Sequence, residues 1–441
     1  MRILIIGSGG REHALAWRLS ESSSVQATFV LPGNAGIDLD PNIKRLRTTK
    51  KITNELVLEA IKANNVDLTI IGPEAFLVTG LVDFLRSKKM PVIGPSKAAA
   101  QLEGSKAFSK LFMRENSIKT AGFEIFVSYE KAIDYLKSRE FPLVIKADGL
   151  AGGKGVFIVK SLSEGQSILS RLMIDGMLGL AGKKVVIEEF VSGFEISLIV
   201  LTDGKKIIRF PVCQDYKNLD DGGVGPNTGG MGVHFPLEFI SDAMLKKFED
   251  EIIFPALKGM EKSGHLYNGF LYCGLMVDKD GTANVLEFNC RLGDPETQLL
   301  MLLIKGDLGP VFESIGVFDT ASLIQTKDNF WDKKPGLTVM ASSAGYPGNY
   351  NSGELVTIQD ELKENDYLKV FHSGTELNGN GLVTNGGRVL SVSGLGPDKV
   401  SARNMVYKAI SRINFKGKHY RKDIGLLEAR NSDQVTKKDK T

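Results

Sequence analysis

The sequence predicts a multidomain chain of α/β and α+β character, with a parallel-sheet domain first and mixed α+β segments after it. Three observations carry this reading. Short Ile/Leu/Val runs alternate with helical patterns over the first hundred residues. Hairpin signals and mixed elements replace them after about residue 120. The 441 residues suffice for about two to four domains.

Taken in order, residues 2–6, 26–31, 67–71 and 91–93 read as buried strands, each apolar and ended by glycine or proline. Helical spacing fills 13–20, 54–64 and 77–88. Strand–helix–strand repetition means a parallel sheet with right-handed crossovers, which binds ligands at the carboxyl ends of its strands. Those ends are Gly7-Ser8-Gly9-Gly10-Arg11-Glu12, Pro32-Gly33-Asn34-Ala35-Gly36 and Gly72-Pro73-Glu74. Further strands are expected at 123–127, 143–147, 156–160 and 185–191, with helices at 129–138 and 164–174. Two hairpins follow, 196–202 with 206–213 and 270–277 with 283–288, turning through Asp203-Gly204 and Asp278-Lys279-Asp280-Gly281. Between them lie a glycine-crowded loop at 222–232 and a helix at 242–262. Beyond 327, strands at 337–341, 355–358, 368–373 and 387–393 precede a helix at 397–413, and the polar residues 431–441 read as a disordered tail.

Composition narrows the function classes. The 55 Lys+Arg and 52 Asp+Glu leave a net charge of +3 spread along the chain, which excludes a dedicated nucleic-acid binder. No apolar stretch approaches the roughly 18 residues that cross a bilayer. Cys213, Cys273 and Cys290 form no paired spacing, so a disulfide framework is excluded and a reducing cytoplasm is expected. Glycine is over-used, 48 of 441 against roughly 7% in ordinary chains, with no low-complexity run to absorb it.

The glycines sit where chemistry is expected. Gly7-x-Gly9 lacks the third glycine of a dinucleotide fingerprint, Glu12 standing in its place, so a phosphate or sugar at the helix N-terminus is the better reading. Gly149-Leu150-Ala151-Gly152-Gly153-Lys154-Gly155 is no Walker A loop. As a flap beside Lys146 it can still wrap a triphosphate with backbone N–H groups and ammonium charge. Glu287 and Asn289, two apart on a strand, share one face and suit Mg²⁺ or Mn²⁺ completed by phosphates. Arg291, Asp294 and Glu296 crowd charge just downstream, and Asn227 and Thr228 in Gly225-Pro226-Asn227-Thr228-Gly229-Gly230-Met231-Gly232 can bond a polar ligand. His13 reads as structural, and no Ser-His-Asp set or histidine metal pair is present.

Ten segments in order carry a resemblance: IGSGGREHALAW (6–17), PGNAG (32–36), IGPEAFLVTGLVD (71–83), QLEGSKAF (101–108), IKADGLAGGKGV (145–156), IEEFVSGFEIS (187–197), GPNTGGMG (225–232), GFLYCGLM (269–276), EFNCRLGDPETQ (287–298) and TNGGRVLSV (384–392). From residue 1 to about 430 the chain resembles the ATP-grasp ligases, and among them the phosphoribosylamine–glycine ligase family of purine biosynthesis. The resemblance implies a Rossmann-like pre-ATP-grasp domain at 1–104, an ATP-grasp small lobe with its lead-in helix at 105–190, a central lobe with the metal site at 191–326, and a small C-terminal α+β domain at 327–430.

It also implies roles. Lys106 and Lys146 would contact ATP phosphates beneath the flap of Gly152, Gly153 and Lys154. Glu188, Glu189 and Val191 would belong to the hinge that reads adenine, Glu195 would take the ribose hydroxyls, and Glu287 and Asn289 the metal. Gly9, Gly10, Arg11, Glu12, Gly33, Asn34 and Glu74, with Asn227, Thr228, Gly229 and Gly230, would hold 5-phosphoribosylamine, Asp215 and Lys217 lying near. Arg291 and Asp294 would be catalytic, Pro295 and Glu296 helping to place glycine. The implied reaction phosphorylates glycine with ATP and passes the glycyl group to the amine. The implied setting is a cytoplasmic monomer or homodimer, in possible transient contact with the enzyme that makes the unstable amine. The ATP residues alone would equally suit another carboxylate–amine ligase of that superfamily.

Overall fold

A computed structural model of the chain describes residues 1–316, 326, 329–359 and 361–426. The expected tail at 431–441 lies outside these residues.

The N-terminal sheet is built from β1 (Arg2–Gly7), β2 (Ala27–Pro32), β3 (Ile43–Arg45), β4 (Leu68–Ile71) and β5 (Val92–Ile93). Its order is β3-β2-β1-β4-β5 and every pairing is parallel. Ile3, Leu4, Ile5 and Ile6 of the central strand are fully buried, as a strand covered on both faces requires. Helices α1 (Gly10–Ser20), α2 (Ala35–Leu39), α3 (Asn54–Ala63), α4 (Glu74–Thr79) and α5 (Leu81–Ser87) connect the strands. The single helix expected at 77–88 is in fact two, because Gly80 adopts φ 90° and ends α4 in the left-handed conformation. The short β3 and α2 carry too few residues for a periodic signal and were not expected.

Helices α6 (Gln101–Gly104) and α7 (Lys106–Glu115) lead into an antiparallel lobe of β6 (Phe123–Phe126), β7 (Leu143–Ala147), β8 (Val156–Val159) and β9 (Val185–Glu189), ordered β6-β9-β7-β8. Its apolar face packs on α8 (Tyr129–Lys137) and α9 (Leu162–Leu169), where Ile133, Leu136, Ile145 and Leu169 share one core. β9 stops at Glu189, short of the expected 191, and 190–193 link it to β10 (Phe194–Thr202).

β10 pairs with β11 (Ile207–Arg209) as expected, and the chain then makes four short strands, β12 (Gln214–Asp215), β13 (Asn218–Asp220), β14 (Val224–Asn227) and β15 (Gly232–Phe235). The expected glycine loop is therefore half structured, since β14 folds back on β13. Helices α10 (Asp242–Phe248) and α11 (Phe254–Lys262), joined by a π turn, precede β16 (Gly269–Val277) and β17 (Ala283–Asn289), which complete an antiparallel sheet ordered β11-β10-β16-β17. Helix α12 (Glu296–Leu303) is buried along its whole length and packs on α1, β15 and the C-terminal sheet; α13 (Leu308–Gly316) follows.

The last segment contains β18 (Gly336–Ser342), β19 (Thr357–Ile358), β20 (Leu368–His372), β21 (Thr375–Asn378), β22 (Gly381–Thr384), β23 (Arg388–Leu395), α14 (Lys399–Ser411) and β24 (Ile413–Asn414). Its main sheet is ordered β12-β15-β18-β23-β20, so it crosses the expected boundary at 327 by drawing two strands from the preceding segment. The physical reason is edge satisfaction: β15 finds its ladder partner in β18, Gly232 to Phe235 pairing with 336–339. This pins the far end of the 225–231 loop to the C-terminal sheet, while its start lies in β14, paired with β13.

Candidate active site

The site grows from α7 outward. Ser105 caps α7 by accepting from Phe108 N and donates to Asp148 Oδ1 at 2.8 Å, which ties the helix start to the end of β7. Lys106 and Lys110, one turn apart on α7, then reach inward to two different carboxylates. Lys106 Nζ lies 2.9 Å from Glu287 Oε2. Glu188, inside β9, receives Lys110 at 2.7 Å and Lys146 at 2.9 Å, and all three side chains are buried. Glu188 was expected at the hinge; its side chain is the counter-ion between two lysines, and the linker 190–193 follows two residues on. Burial, opposed by Glu188 and reinforced by the Lys146 charge, lowers Lys110 to about 8.

Glu287 and Asn289 share a face of β17, as expected, and Asn289 Nδ2 donates to Glu287 Oε1 at 3.2 Å. Burial alone would raise the Glu287 pKa, but Lys106, Lys217 and Lys146 hold it well below the usual range. A permanently ionised carboxylate beside an amide oxygen is the donor chemistry a hard divalent cation takes. Arg291 lies between Glu74 at 3.0 Å and Glu103 at 3.0 Å, which keep it charged against the cost of burial.

On the other wall, Lys217 pairs with Glu195. The sequence reading separated these two, one with the acceptor and one with ATP; the structure joins them. The flap and the acceptor loop also meet, since a Cβ on Gly153 (φ 78°) would sit 3.2 Å from the Thr228 carbonyl oxygen. Lys154 itself is exposed on the flap, as is Gly152. Glu189 is also exposed.

Several residues expected to touch substrate are spent on the scaffold. Glu12, buried, accepts from Gly9 N at 2.6 Å and pairs with Arg11 at 2.6 Å, while Arg11 Nη1 donates to the Leu292 carbonyl at 3.0 Å. Asn34 caps α2 and donates to the carbonyls of Ser8 and His372 at 2.8 and 2.7 Å. Thr228 donates to Lys217 O at 2.8 Å and accepts from Gly230 N at 3.0 Å. Asn227 accepts from Asn218 across the β13–β14 hairpin. Asn34 and Thr228 are short polar side chains at turns, where backbone groups compete successfully for them. Gly10 packs on Gln298 and Ser373, and Gly33 on Arg45. His13, expected as structural, is buried and accepts from His372 N at 2.9 Å.

Two turns face each other across the site. The Gly9 and Arg11 backbones face Asp294, whose Oδ2 lies 3.4 Å from Arg11 N. Arg388 donates to the carbonyls of Gly229 at 2.7 Å and Asp294 at 2.6 Å and stands 3.4 Å from the Asp294 carboxylate. Arg388 and Arg11 outweigh burial and keep Asp294 below its usual range. A Cβ on Gly230 would come 2.5 Å from Pro295 Cδ and 2.7 Å from Asp215 Oδ1, so this approach requires glycine. Glu296 accepts from Ser197 Oγ at 2.9 Å beneath it.

Sequence reasoning missed Lys110, Glu103 and Arg388. Lys110 was findable from its spacing to Lys106; Glu103 and Arg388 stand inside segments 101–108 and 384–392 but have no local partner to betray them. Among the described residues no cluster of three or more His, Cys, Asp or Glu side chains could hold a metal by itself, and no helix is long and apolar enough to cross a membrane. All three cysteines are free and buried.

Comparison with known proteins fits this arrangement. Domain models of phosphoribosylglycinamide synthetase match in sequence: the N domain at residues 1–103, the ATP-grasp (A) domain at 104–297 and the C domain at 336–427. The phosphoribosylamine–glycine ligase of Ralstonia nicotianae is 44% identical over 427 residues, 96% of this chain and 99% of the relative. That of Yersinia pestis is 42% identical over 428 residues, 96% and 98%. Among solved structures, a phosphoribosylamine–glycine ligase from Thermotoga maritima superposes with a TM-score of 0.83 at 36% identity, covering 96% of this chain and 100% of that one. The biotin carboxylase domain of a Hydrogenobacter thermophilus 2-oxoglutarate carboxylase reaches 0.73 at 13% identity, over 95% and 91%, and shares the fold.

Proposed function

The chain belongs to the phosphoribosylglycinamide synthetase family, an ATP-dependent ligase that joins glycine to 5-phosphoribosylamine, and on that premise we propose how its site divides the work. ATP lies between the 149–155 flap and the Lys106/Lys146 floor, with adenine against the 190–193 linker and ribose near Glu195. Glu287 and Asn289 would hold the divalent cation, Mg²⁺ or Mn²⁺, which when bound neutralises phosphate charge. Lys106, paired to Glu287 at 2.9 Å, is then free to turn toward the phosphates.

Glycine is placed against Arg291 and Glu74, the guanidinium and carboxylate matching an amino-acid zwitterion. Its carboxylate attacks the γ-phosphorus of ATP to give glycyl phosphate and ADP. The amine of 5-phosphoribosylamine then attacks the carbonyl, and phosphate departs. The acceptor's phosphate suits the positive end of α1, beside Arg388 and the 228–230 turn. No nucleophilic side chain is needed, because phosphoryl transfer rests on positioning and charge neutralisation. The flap excludes water from the acyl phosphate. The product, glycinamide ribonucleotide, belongs to purine biosynthesis, and a cytoplasmic setting suits the three free thiols.

The observation that supports this reading most is the meeting of the two halves: Gly153 of the flap abuts Thr228 of the acceptor loop, and Lys217 pairs with Glu195. Glycine labelled with ¹⁸O in its carboxylate tests the intermediate. One label per turnover must appear in inorganic phosphate; unlabelled phosphate would contradict an acyl phosphate.

A further inference from the structure

We propose that Asp215 is the proton acceptor of the second half-reaction, taking the proton from the amine of 5-phosphoribosylamine as the carbon–nitrogen bond forms. The inference rests on the division of labour above and adds a catalytic role to it.

Asp215 ends β12, where the ladder with Val233 fixes its backbone, and Gly230 packs so close that a Cβ there would lie 2.7 Å from Oδ1. Its Oδ1 is covered and has no hydrogen-bond partner among the described residues. Every other acid of the site is committed: Glu195 to Lys217, Glu287 to Lys106, Glu74 to Arg291, Asp294 to Gln298 and Arg388, and Glu296 to Ser197. An unpaired carboxylate oxygen is costly to keep, and because the residue is only half-buried a ligand can still reach its carboxylate. Its setting is the junction of the two reactants, next to the loop assigned to the acceptor and two residues from Lys217, which reaches Glu195 on the ATP side.

The surrounding charges suit a base. Burial and the nearby carboxylates of Glu296 on α12 and Glu195 on β10 raise the proton affinity of Asp215, while Lys217 and Arg388 oppose them. Tyr272 on β16 also faces this cluster. A carboxylate with raised affinity is a better proton acceptor near neutral pH than an exposed one.

The step balances without a further reagent. The nitrogen lone pair forms the C–N bond to the glycyl carbonyl, the carbonyl carbon–oxygen bond to phosphate breaks, and phosphate leaves with that electron pair. The proton lost by nitrogen goes to the Asp215 carboxylate and then to water as product departs.

Asp215→Asn keeps the shape and removes the base. Ligation of 5-phosphoribosylamine should fall at least ~10²-fold in kcat, with the KM values for ATP and glycine within about threefold and the melting temperature unchanged. Glycyl phosphate formation, read as hydroxamate when hydroxylamine replaces the amine, should stay within about threefold of the native enzyme. Asp215→Glu should recover part of the ligation rate. Ligation within threefold of native in Asp215→Asn, or equal losses of ligation and hydroxamate, would overturn the proposal. Absence of hydroxamate in the native enzyme while ligation proceeds would instead overturn the acyl-phosphate reading on which it rests.

Discussion

Glu287 illustrates how a single residue's surroundings fix its use. Three lysine charges keep it ionised in a buried setting, so it can hold a cation without a change of protonation. Glu287→Gln should cut turnover at least ~10²-fold while the fold survives, because the charge that neutralises the phosphates is gone. Titration of Mg²⁺ or Mn²⁺ in steady-state assays checks this, and near-normal activity at saturating metal would locate the metal elsewhere. Thr228 makes the opposite case. Its hydroxyl bridges Lys217 O, which the Thr228 backbone N–H also reaches, and Gly230 N, so Thr228→Val should cost about 1–3 kcal/mol of stability by leaving Gly230 N unpaired. Denaturant melts would show it, and an unchanged midpoint would mean the hydroxyl is free for ligand after all. At this scale the sequence revealed residue types well and partners poorly. Lys106, Lys146 and Glu287 were legible because charged residues on short apolar strands and helix starts need a reason. That Glu12, Asn34 and Thr228 serve the backbone was not, because competition for a turn's N–H groups depends on which carbonyls the fold brings close.

The flap is an element whose function depends on two neighbouring glycines in different surroundings. A Cβ on Gly152 would meet nothing within 4 Å, whereas one on Gly153 would press the Thr228 carbonyl at 3.2 Å, and both have positive φ. Gly153→Ala should therefore lower kcat more than Gly152→Ala, by obstructing closure as well as straining the backbone. Equal effects would show that strain alone matters. If the flap closes on nucleotide, amides 149–155 should exchange quickly in the free enzyme and gain protection with ATP. Most regular elements were readable from periodicity, including β1, α3, β7 and β16. The failures have physical causes. Gly80 broke a helix that its apolar spacing had continued, and β12 and β15 are too short to announce themselves and take their place in a sheet only through β18.

The whole molecule carries three buried, neutral histidines that link it to pH. Burial lowers His13 to about 3, aided by the His372 and Lys369 charges, and lowers His234 and His372 to about 4. Below pH 6.5 the unfolded chain binds protons that the folded chain refuses, so these groups make stability fall as pH drops from about 6.5 toward 4. Each contributes up to about 1.4 kcal/mol per pH unit across that window. Denaturant midpoints at pH 7.5 and pH 5 should differ accordingly, and His234→Phe should shrink the difference; an unchanged difference would mean His234 does not titrate on unfolding. His13 and His372 join α1 to β20, so the same window reports on the contact between the N-terminal sheet and the C-terminal segment. That contact, and the sheet shared across residue 327, bring the strand ends of β1, the 225–231 loop and the β17 carboxylate around one space, which is why a single ligation site is expected. The most direct measurement is ADP release with glycine and 5-phosphoribosylamine supplied together and singly. One ADP should form per glycinamide ribonucleotide, sustained only when both are present; ADP release that ignores glycine, or ADP without that product when both are supplied, would contradict it.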